Sequence, residues 1–408
     1  MKNWDKIKLG DLCEVITKGT TPTSIGYNFT DSGIKFIKVE SLTESGEIIP
    51  NKVAYIDEAC HQALKRSQLK KNDILFSIAG ALGRIGIVKE DILPANTNQA
   101  LAIIRLKKDS NALVEFIAKY FNSNIVTDEI EKLRIGAAQQ NLSLTQLNNL
   151  FVPLPPLPEQ QRIISILDEA FAAIAKAKAN AEQNLKNAKE LFESYLQGVF
   201  EKKGDGWEEK IIKEVCELKS GTTISTNLER SEGDVLYVKV GDMTLPENEV
   251  EINTSSRFVY RAEIKANQII PNGAIIFPKR GGAIATNKKR IIIKPTIVDL
   301  NTMAIIPGSK IDADYFFHWF QLIDLNSISN GTSIPQINNY SFDDVKIPFP
   351  KSKETQQTIV RQLDALRAET QKLEAVYQKK IADLEELKKS ILQKAFAGEL
   401  KTEKAFAV

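Results

Sequence analysis

Two stretches of the chain carry a helical rhythm much longer than any other segment. Residues 159–197 and 351–397 contain neither proline nor glycine. In the first, Ile163, Leu167, Ala170, Ile174, Ala177, Ala181, Leu185, Ala188, Phe192, Tyr195 and Val199 recur at steps of four and three. In the second, Ile359, Leu363, Leu366, Thr370, Leu373, Tyr377, Ile381, Leu384, Leu387 and Ile391 do the same. Such spacing lines one side of a helix with apolar groups, as in a coiled-coil seam. An extra step of four follows Ala181 in one stretch and Tyr377 in the other, a shared stutter. The first seam has small residues (Ala170, Ala177, Ala181, Ala188) where the second has larger ones (Leu366, Leu373, Tyr377, Leu384), and mixed sizes interdigitate well. The two helices are therefore expected to pair with each other. The first must run from one globular segment to the next, so a compact pairing is antiparallel and returns the C-terminus to the first globular segment. A helix of about 40 residues spans roughly 60 Å, which would set the globular segments at opposite ends of a spacer.

The remaining segments read as short strands and turns. Residues 34–39 and 236–240 alternate apolar and polar, and 73–79, 274–277, 100–104 and 303–306 are short apolar runs bounded by turn residues. Short helices are expected at 111–122 and 312–325. Each half is thus predicted to hold an α+β domain.

The halves resemble each other. Trp4 to Val15 is echoed by Trp207 to Leu218, Lys18-Gly19-Thr20-Thr21 by Ser220-Gly221-Thr222-Thr223, and Phe36-Ile37-Lys38-Val39 by Tyr237-Val238-Lys239-Val240. Gly136 and Gln140 stand as far before the proline-rich straps as Gly331 and Pro335, with Gln336 one step on. The chain is read as two diverged copies of a domain-plus-helix unit: globular segments at 1–153 and 204–349, a first long helix at 154–203, and a second long helix with a C-terminal tail at 350–408.

Composition narrows the chemistry. The 54 basic and 52 acidic residues nearly balance, so any nucleic-acid signal is local. The three cysteines, Cys13, Cys60 and Cys216, form no C-x-x-C pair, and only two histidines exist, His61 and His318, which argues against a disulfide framework and most metal sites. No phosphate-binding loop, dinucleotide fingerprint, nucleophile elbow or His-Glu-x-x-His is present. Leu154-Pro155-Pro156-Leu157 lacks the amide or carboxylate that an amino-methyltransferase places before its prolines. No apolar leader or bilayer-length run is seen, and a cytoplasmic chain without a membrane partner is expected.

Binding signals are better. Residues 264–298 contain no acid but include Lys265, Lys279, Arg280, Lys288, Lys289, Arg290 and Lys294, and 59–72 repeats the pattern with Lys65, Arg66, Lys70 and Lys71. Such stretches can neutralise phosphates, or form ordinary solvated faces. The loops at 20–21, 96–99 and 139–141 are rich in side chains able to read base edges, or to serve as turns and caps.

Taken together, the tandem halves, the Gly-Thr-Thr loop, the Gly-x-x-x-Gln segment and Pro-Pro-Leu-Pro-Glu-Gln-Gln at 155–161 resemble the specificity subunit of type I restriction-modification systems. The second copy keeps Glu354 and Gln356 but not the Pro-Leu-Pro. The resemblance implies two target recognition domains of α+β class separated by two long helices forming an antiparallel coiled coil. It implies a non-catalytic chain whose domains each read one half of a split double-stranded DNA target. Partners would be modification subunits, two of them, and restriction subunits. These would carry S-adenosylmethionine, ATP and magnesium, with no cofactor or metal in this chain. The DNA-facing positions it implies are Thr20, Thr21, Lys38, Ser77, Arg84, Asn98 and Gln140 in the first half. In the second they are Thr222, Thr223, Lys239, Lys279, Arg280, Lys288, Lys289 and Gln336. Two rival readings are a coiled-coil scaffold that binds only proteins and a self-sufficient DNA methyltransferase. The acid-free basic stretch opposes the first, and the missing motifs oppose the second.

Overall fold

The computed structural model describes residues 4–43, 46–135, 141–331 and 333–400. The first half supplies β1 (Asp5–Lys8), β2 (Cys13–Lys18), β3 (Ile34–Ile37), β4 (Ala54–Ile56), β5 (Ile74–Ser77), β6 (Ile85–Ile87), β7 (Ala95–Thr97), β8 (Leu101–Leu106) and β9 (Phe151–Leu154). The second supplies β10 (Trp207–Ile211), β11 (Cys216–Ser220), β12 (Val235–Val238), β13 (Glu251–Ile252), β14 (Phe258–Val259), β15 (Ile275–Pro278), β16 (Arg290–Ile292), β17 (Thr296–Val298), β18 (Thr302–Pro307) and β19 (Lys346–Pro350). The sheet order β2-β8-β5-β6 recurs as β11-β18-β15-β16, extended by β13, and β4-β3-β7 recurs as β14-β12-β17. The internal repeat is therefore a repeat of topology. Strands β5 and β15 are buried on both faces, which explains their unbroken apolar runs.

Two short helices of the first half are α1 (Val114–Phe121) and α2 (Asn124–Ile135); the first long helix is α3 (Leu157–Glu201). The second half adds α4 (Ala313–Gln321) and the long α5 (Lys353–Phe396). Helices α1 and α4 are shorter than their apolar stretches suggested, and α2 was not anticipated at all.

The root of each long helix is fastened in the same way. Strands β1 and β9 pair antiparallel, as do β10 and β19, so each domain's opening strand closes on the strap that leads into its helix. One turn into the helix sits a fully buried glutamine, Gln160 in α3 and Gln356 in α5. Gln160 Oε1 accepts the Leu113 amide at 2.9 Å, and its Nε2 donates to the Asn111 carbonyl at 2.7 Å and the Pro155 carbonyl at 2.8 Å. Gln356 makes the same set with the Asp312 amide (2.7 Å), the Lys310 carbonyl (3.0 Å) and the Pro350 carbonyl (2.8 Å). One side chain thus joins the strap, the long helix and the chain entering α1 or α4. Tyr120 and Tyr315 add hydroxyl bonds of 2.8 Å to the carbonyls of Phe151 and Pro348 in the same straps.

The chain falls into two compact units, one joining Met1–Glu182 to the stretch from Lys379, the other Gln183–Gln378. Each unit holds the root of one long helix and the far end of the other. In the first unit, Ile163 and Leu167 near the start of α3 share a core with Leu392, Ala395 and Phe396 at the end of α5. Phe396 packs edge-on against Phe116 and Tyr120, both at 5.3 Å between ring centroids. In the second unit, Leu363 near the start of α5 shares a core with Leu196 and Phe200 of α3, and Phe200 packs edge-on against Tyr315 at 5.2 Å. The helices run antiparallel, and each ends in the core of the other repeat's domain, as the connectivity argument required.

The seam itself departs from its expected residues in places. Tyr195, Leu373 and Leu387 are exposed. Burial passes to Leu196 and Phe200 because the end of α3 meets the domain as well as α5. In the second unit His318 of α4, itself buried, contacts Asp364 of α5 through Nε2 at 2.8 Å, tying the domain to the helix.

Replacing Gln160 or Gln356 with leucine strands one amide and two carbonyls in the interior. At about 1–3 kcal/mol for each stranded buried group, the three together are expected to cost each variant at least about 3 kcal/mol in denaturant unfolding. A loss under about 0.5 kcal/mol would refute the fastening role.

Candidate nucleic-acid interface

In each repeat one edge of the larger sheet gathers the same four backbone segments. The Gly-Thr-Thr loop follows β2 or β11 and lies flat on the turn after β7 or β17. Thr20 N donates to the Thr97 carbonyl at 3.3 Å, and Thr222 N to the Val298 carbonyl at 2.9 Å. Only glycine permits this approach: a Cβ on Gly19 would stand 1.9 Å from the Thr97 oxygen, and one on Gly221 1.8 Å from the Asp299 oxygen. The third segment leaves β5 or β15. Ile78 N donates to the Ala100 carbonyl at 2.9 Å, and Lys279 N to the Asn301 carbonyl at 2.8 Å. The fourth precedes the strap. Leu142 N donates to the Ile78 carbonyl at 2.9 Å and Ile337 N to the Lys279 carbonyl at 2.8 Å. By this register Asn141, not Gln140, is the counterpart of Gln336. Gln140 itself lies outside the described residues.

Side chains at this edge are unlike in the two repeats. In the first, Thr21 Oγ1 donates to Gln99 Oε1, and Asn98 Oδ1 accepts the Ala100 amide at 3.2 Å. In the second, Thr223 and Arg280 are exposed, Lys279 Nζ donates to Ser220 Oγ at 3.1 Å, and Gln336 Nε2 donates to Asn338 Oδ1 at 3.1 Å. Burial, with Arg280 beside it, holds the Lys279 ammonium below the usual lysine range. Gly281 N bonds to the Pro335 carbonyl at 2.8 Å, and Asn330 and Gln336 exchange a pair of 2.8 Å backbone bonds, so a hairpin carries Gln336 beside Arg280. Ile334 and Tyr340 of this region are exposed apolar groups that a search for basic and amide residues passes over. Arg84 and Lys288, both half-buried, lead into β6 and β16.

Two of the expected DNA-facing residues point inward, and two more are partly engaged. Ser77 is buried; its hydroxyl donates to the Ala81 carbonyl and accepts the Arg84 amide at 3.1 Å, so it fastens a turn. Lys289 is buried at 1% exposure, with Nζ donating to the Ile323 carbonyl at 2.7 Å and to Asn287 Oδ1 at 3.0 Å, 5.2 Å from the Phe320 ring centroid. Its neighbour Arg290 donates to the carbonyls of Lys289 (2.8 Å) and Met243 (3.1 Å). Part of the acid-free stretch is therefore structural, because β16 runs through the interior. Lys38 is half-exposed, 4.4 Å from the Phe29 ring and 3.9 Å from Glu40. Lys239 reaches Glu229 at 3.0 Å, which also takes Arg257 at 3.2 Å, so an acid distant in sequence offsets this patch.

The other titratable groups of interest are packing groups. Cys13 and Cys216, which open the equivalent strands β2 and β11, are free, and burial pushes both thiols up to about 12. Among the described residues no group of histidine, cysteine and acidic side chains is arranged to hold a metal, and no helix is long and apolar enough to cross a membrane.

Burial lowers the Lys289 ammonium to about 8, against about 10.4 in an unfolded chain. Between those values the unfolded chain holds the extra proton, so stability rises with pH there. Wild type should gain stability relative to Lys289→Met from pH 8 to 10, while both bind DNA alike at pH 7.5. A selective loss of DNA binding in the variant would return Lys289 to the interface.

Comparison with known proteins follows this geometry. The family model described as "Type I restriction modification DNA specificity domain" matches residues 1–186 and again 204–383. The EcoBI type I restriction enzyme specificity subunit of Escherichia coli is 33% identical over 169 residues, which covers 41% of this chain and 35% of that subunit. A putative specificity subunit, MjaX of Methanocaldococcus jannaschii, is 24% identical over 428 aligned positions, covering 98% of this chain and 94% of that protein. A chain from a structural study of type I restriction-modification assembly and conformational transition superposes with a TM-score of 0.79 at 19% identity, covering 98% and 99% of the two chains. The HsdS subunit from Thermoanaerobacter tengcongensis superposes with a TM-score of 0.66 at 18% identity, covering 98% of each chain.

Proposed function

The chain belongs to the type I restriction-modification DNA specificity family, and we propose that it reads a split double-stranded DNA target, one half-site per recognition domain. The observation that carries this reading is the repeated sheet edge: one backbone frame presents Thr20, Thr21, Asn98 and Asn141 in one copy and Thr222, Thr223, Lys279, Arg280 and Gln336 in the other. Identical frames with different side chains suit two different half-sites, because base edges are discriminated by donor and acceptor pattern. Lys38, Arg84, Lys239 and Lys288 flank these edges and serve the phosphates.

The recognition domains span 1–153 and 204–349, and the long helices within 154–203 and within 350–408, the latter followed by a C-terminal tail, fix the unread gap between half-sites. Exposed apolar groups on the helices, Leu191 and Tyr195 on α3 and Leu373, Val376 and Leu387 on α5, offer the docking surface for two modification subunits. Those subunits, with restriction subunits, supply S-adenosylmethionine, ATP and magnesium chemistry in the cytoplasm. This chain supplies recognition and no catalysis.

Arg280→Ala tests the reading. If Arg280 reads a guanine, cognate binding weakens by about 1–3 kcal/mol and discrimination at one position relaxes. If it holds a phosphate, binding weakens on every sequence and the log–log salt slope falls by about 0.9. Titrations on cognate and scrambled duplexes that show neither change would refute its role at the interface.

A further inference from the structure

The two long helices carry unlike residues at equivalent seam positions, and the differences fall in a pattern. Superposing Gln160 on Gln356 places Phe171 at the position of Arg367 and Phe192 at that of Lys388. In the first unit Lys388 Nζ lies 5.4 Å from the centroid of the Phe171 ring. In the second unit Arg367 lies 4.9 Å from the centroid of the Phe192 ring. These two contacts are images of each other under the repeat, with the roles exchanged: both aromatic rings are on α3 and both cations on α5. A second set behaves likewise. Lys178 of α3 binds Glu385 of α5 at 2.5 Å, and the equivalent positions carry Lys189 on α3 and Glu374 on α5. Here both cations are on α3 and both acids on α5.

We propose that this helix pair is coded for unlike partners, so that α3 accepts α5 and neither helix accepts a second copy of itself. The geometry is the same in every case, since the repeat would let any two of these helices align antiparallel. Two copies of α3 would set Phe171 beside Phe192, losing the cations of α5, and Lys178 beside Lys189. Two copies of α5 would set Arg367 beside Lys388 and Glu374 beside Glu385. Only the α3–α5 combination sets a ring against a cation, or opposite charges against each other, at all of these positions. Specificity of this kind comes from repulsion built into the wrong pairings as much as attraction in the right one. A chain built from two similar halves needs such a device. Pairing of like helices would join two copies of one recognition domain and read a target with two identical halves. The surroundings hold each ring–cation pair in place. Lys119 also lies over Phe171, at 5.6 Å, and Arg367 also lies over Phe317, at 5.9 Å.

The test exchanges the residues between helices so that every substitution installs what the other repeat already carries: Phe171→Arg with Lys388→Phe, and Lys178→Glu with Glu385→Lys. The α3–α5 pairs then persist with their roles reversed, while like pairings become attractive. A protease site is placed in the exposed link at 203–206 of the full chain, which is nicked after folding. Two preparations with different tags on the N-terminal fragment are then mixed and warmed. Wild type is expected to trade C-terminal fragments between tags without joining two N-terminal fragments. In the exchanged variant, like and unlike pairings become comparable, and roughly half of the N-terminal fragments should be captured by one another. If the fourfold variant fails to fold, the Lys178→Glu, Glu385→Lys variant, altered only at half-exposed side chains, carries the same comparison with a smaller rise. N-terminal fragments joining in wild type as often as in the variant would overturn the proposal. So would a variant that pairs as exclusively as wild type, by exchange or by failure to exchange.

Discussion

The arrangement depends on a side chain in the first turn of each long helix. A coiled coil can hold two objects at a fixed separation only if each object is rigidly joined to it, and a proline-rich strap alone is a poor joint. Gln160 and Gln356 make the joint. Each satisfies two carbonyls and one amide that would otherwise be buried without partners, and together these groups belong to the strap and to the chain entering the neighbouring short helix. A buried amide side chain is costly unless fully bonded, so the geometry has little room to drift. The paired strands β1–β9 and β10–β19 brace the same joint from outside.

From that joint the rest follows in steps. The helix direction is fixed, so its far end meets the other repeat, where Phe200 and Phe396 enter apolar cores. Each unit is therefore completed by a helix end from the opposite half of the sequence, and neither domain is independent of the pair. At the recognition edge the same economy holds. Backbone bonds among four loops, with Gly19 and Gly221 allowing contact, build the platform, and the side chains on it are free to differ between repeats without disturbing it. Charge is distributed by the fold more than by the sequence. Lys289 and Arg290 support the interior, Glu229 offsets Lys239 and Arg257, and Lys279 and Arg280 are left at the edge.

Periodicity and repetition were legible in the sequence because both are local or self-referential. The long helices, their antiparallel direction and the duplicated succession of strand segments along the chain could be read without knowing any contact. The site was legible only as a set of loops. Nothing near Lys289 in sequence announces that Phe320 and Ile323 will enclose it, and an acid-free run looks the same whether it crosses a core or a surface. The family resemblance put Ser77 among the DNA-facing residues, but its partners, Ala81 and Arg84, turn it inward. The glutamine of the Pro-Glu-Gln-Gln element was visible as a motif, but its purpose lay in groups more than forty residues away. At the end of α3 the seam moved from Tyr195 to Leu196 and Phe200 because a heptad frame assumes one neighbour, whereas that end has two.

The central proposal is that each domain reads one half-site and that the helical segments set the gap between them. The most direct measurement is DNA binding by the chain, purified with the subunits that assemble on it, against targets whose half-sites are intact and whose gap is lengthened or shortened by one base pair. One base pair moves a half-site by about 3.4 Å and turns it by roughly 35°. The account predicts that either change abolishes high-affinity binding, leaving the affinity of a single half-site. Binding that tolerates both changes would contradict it.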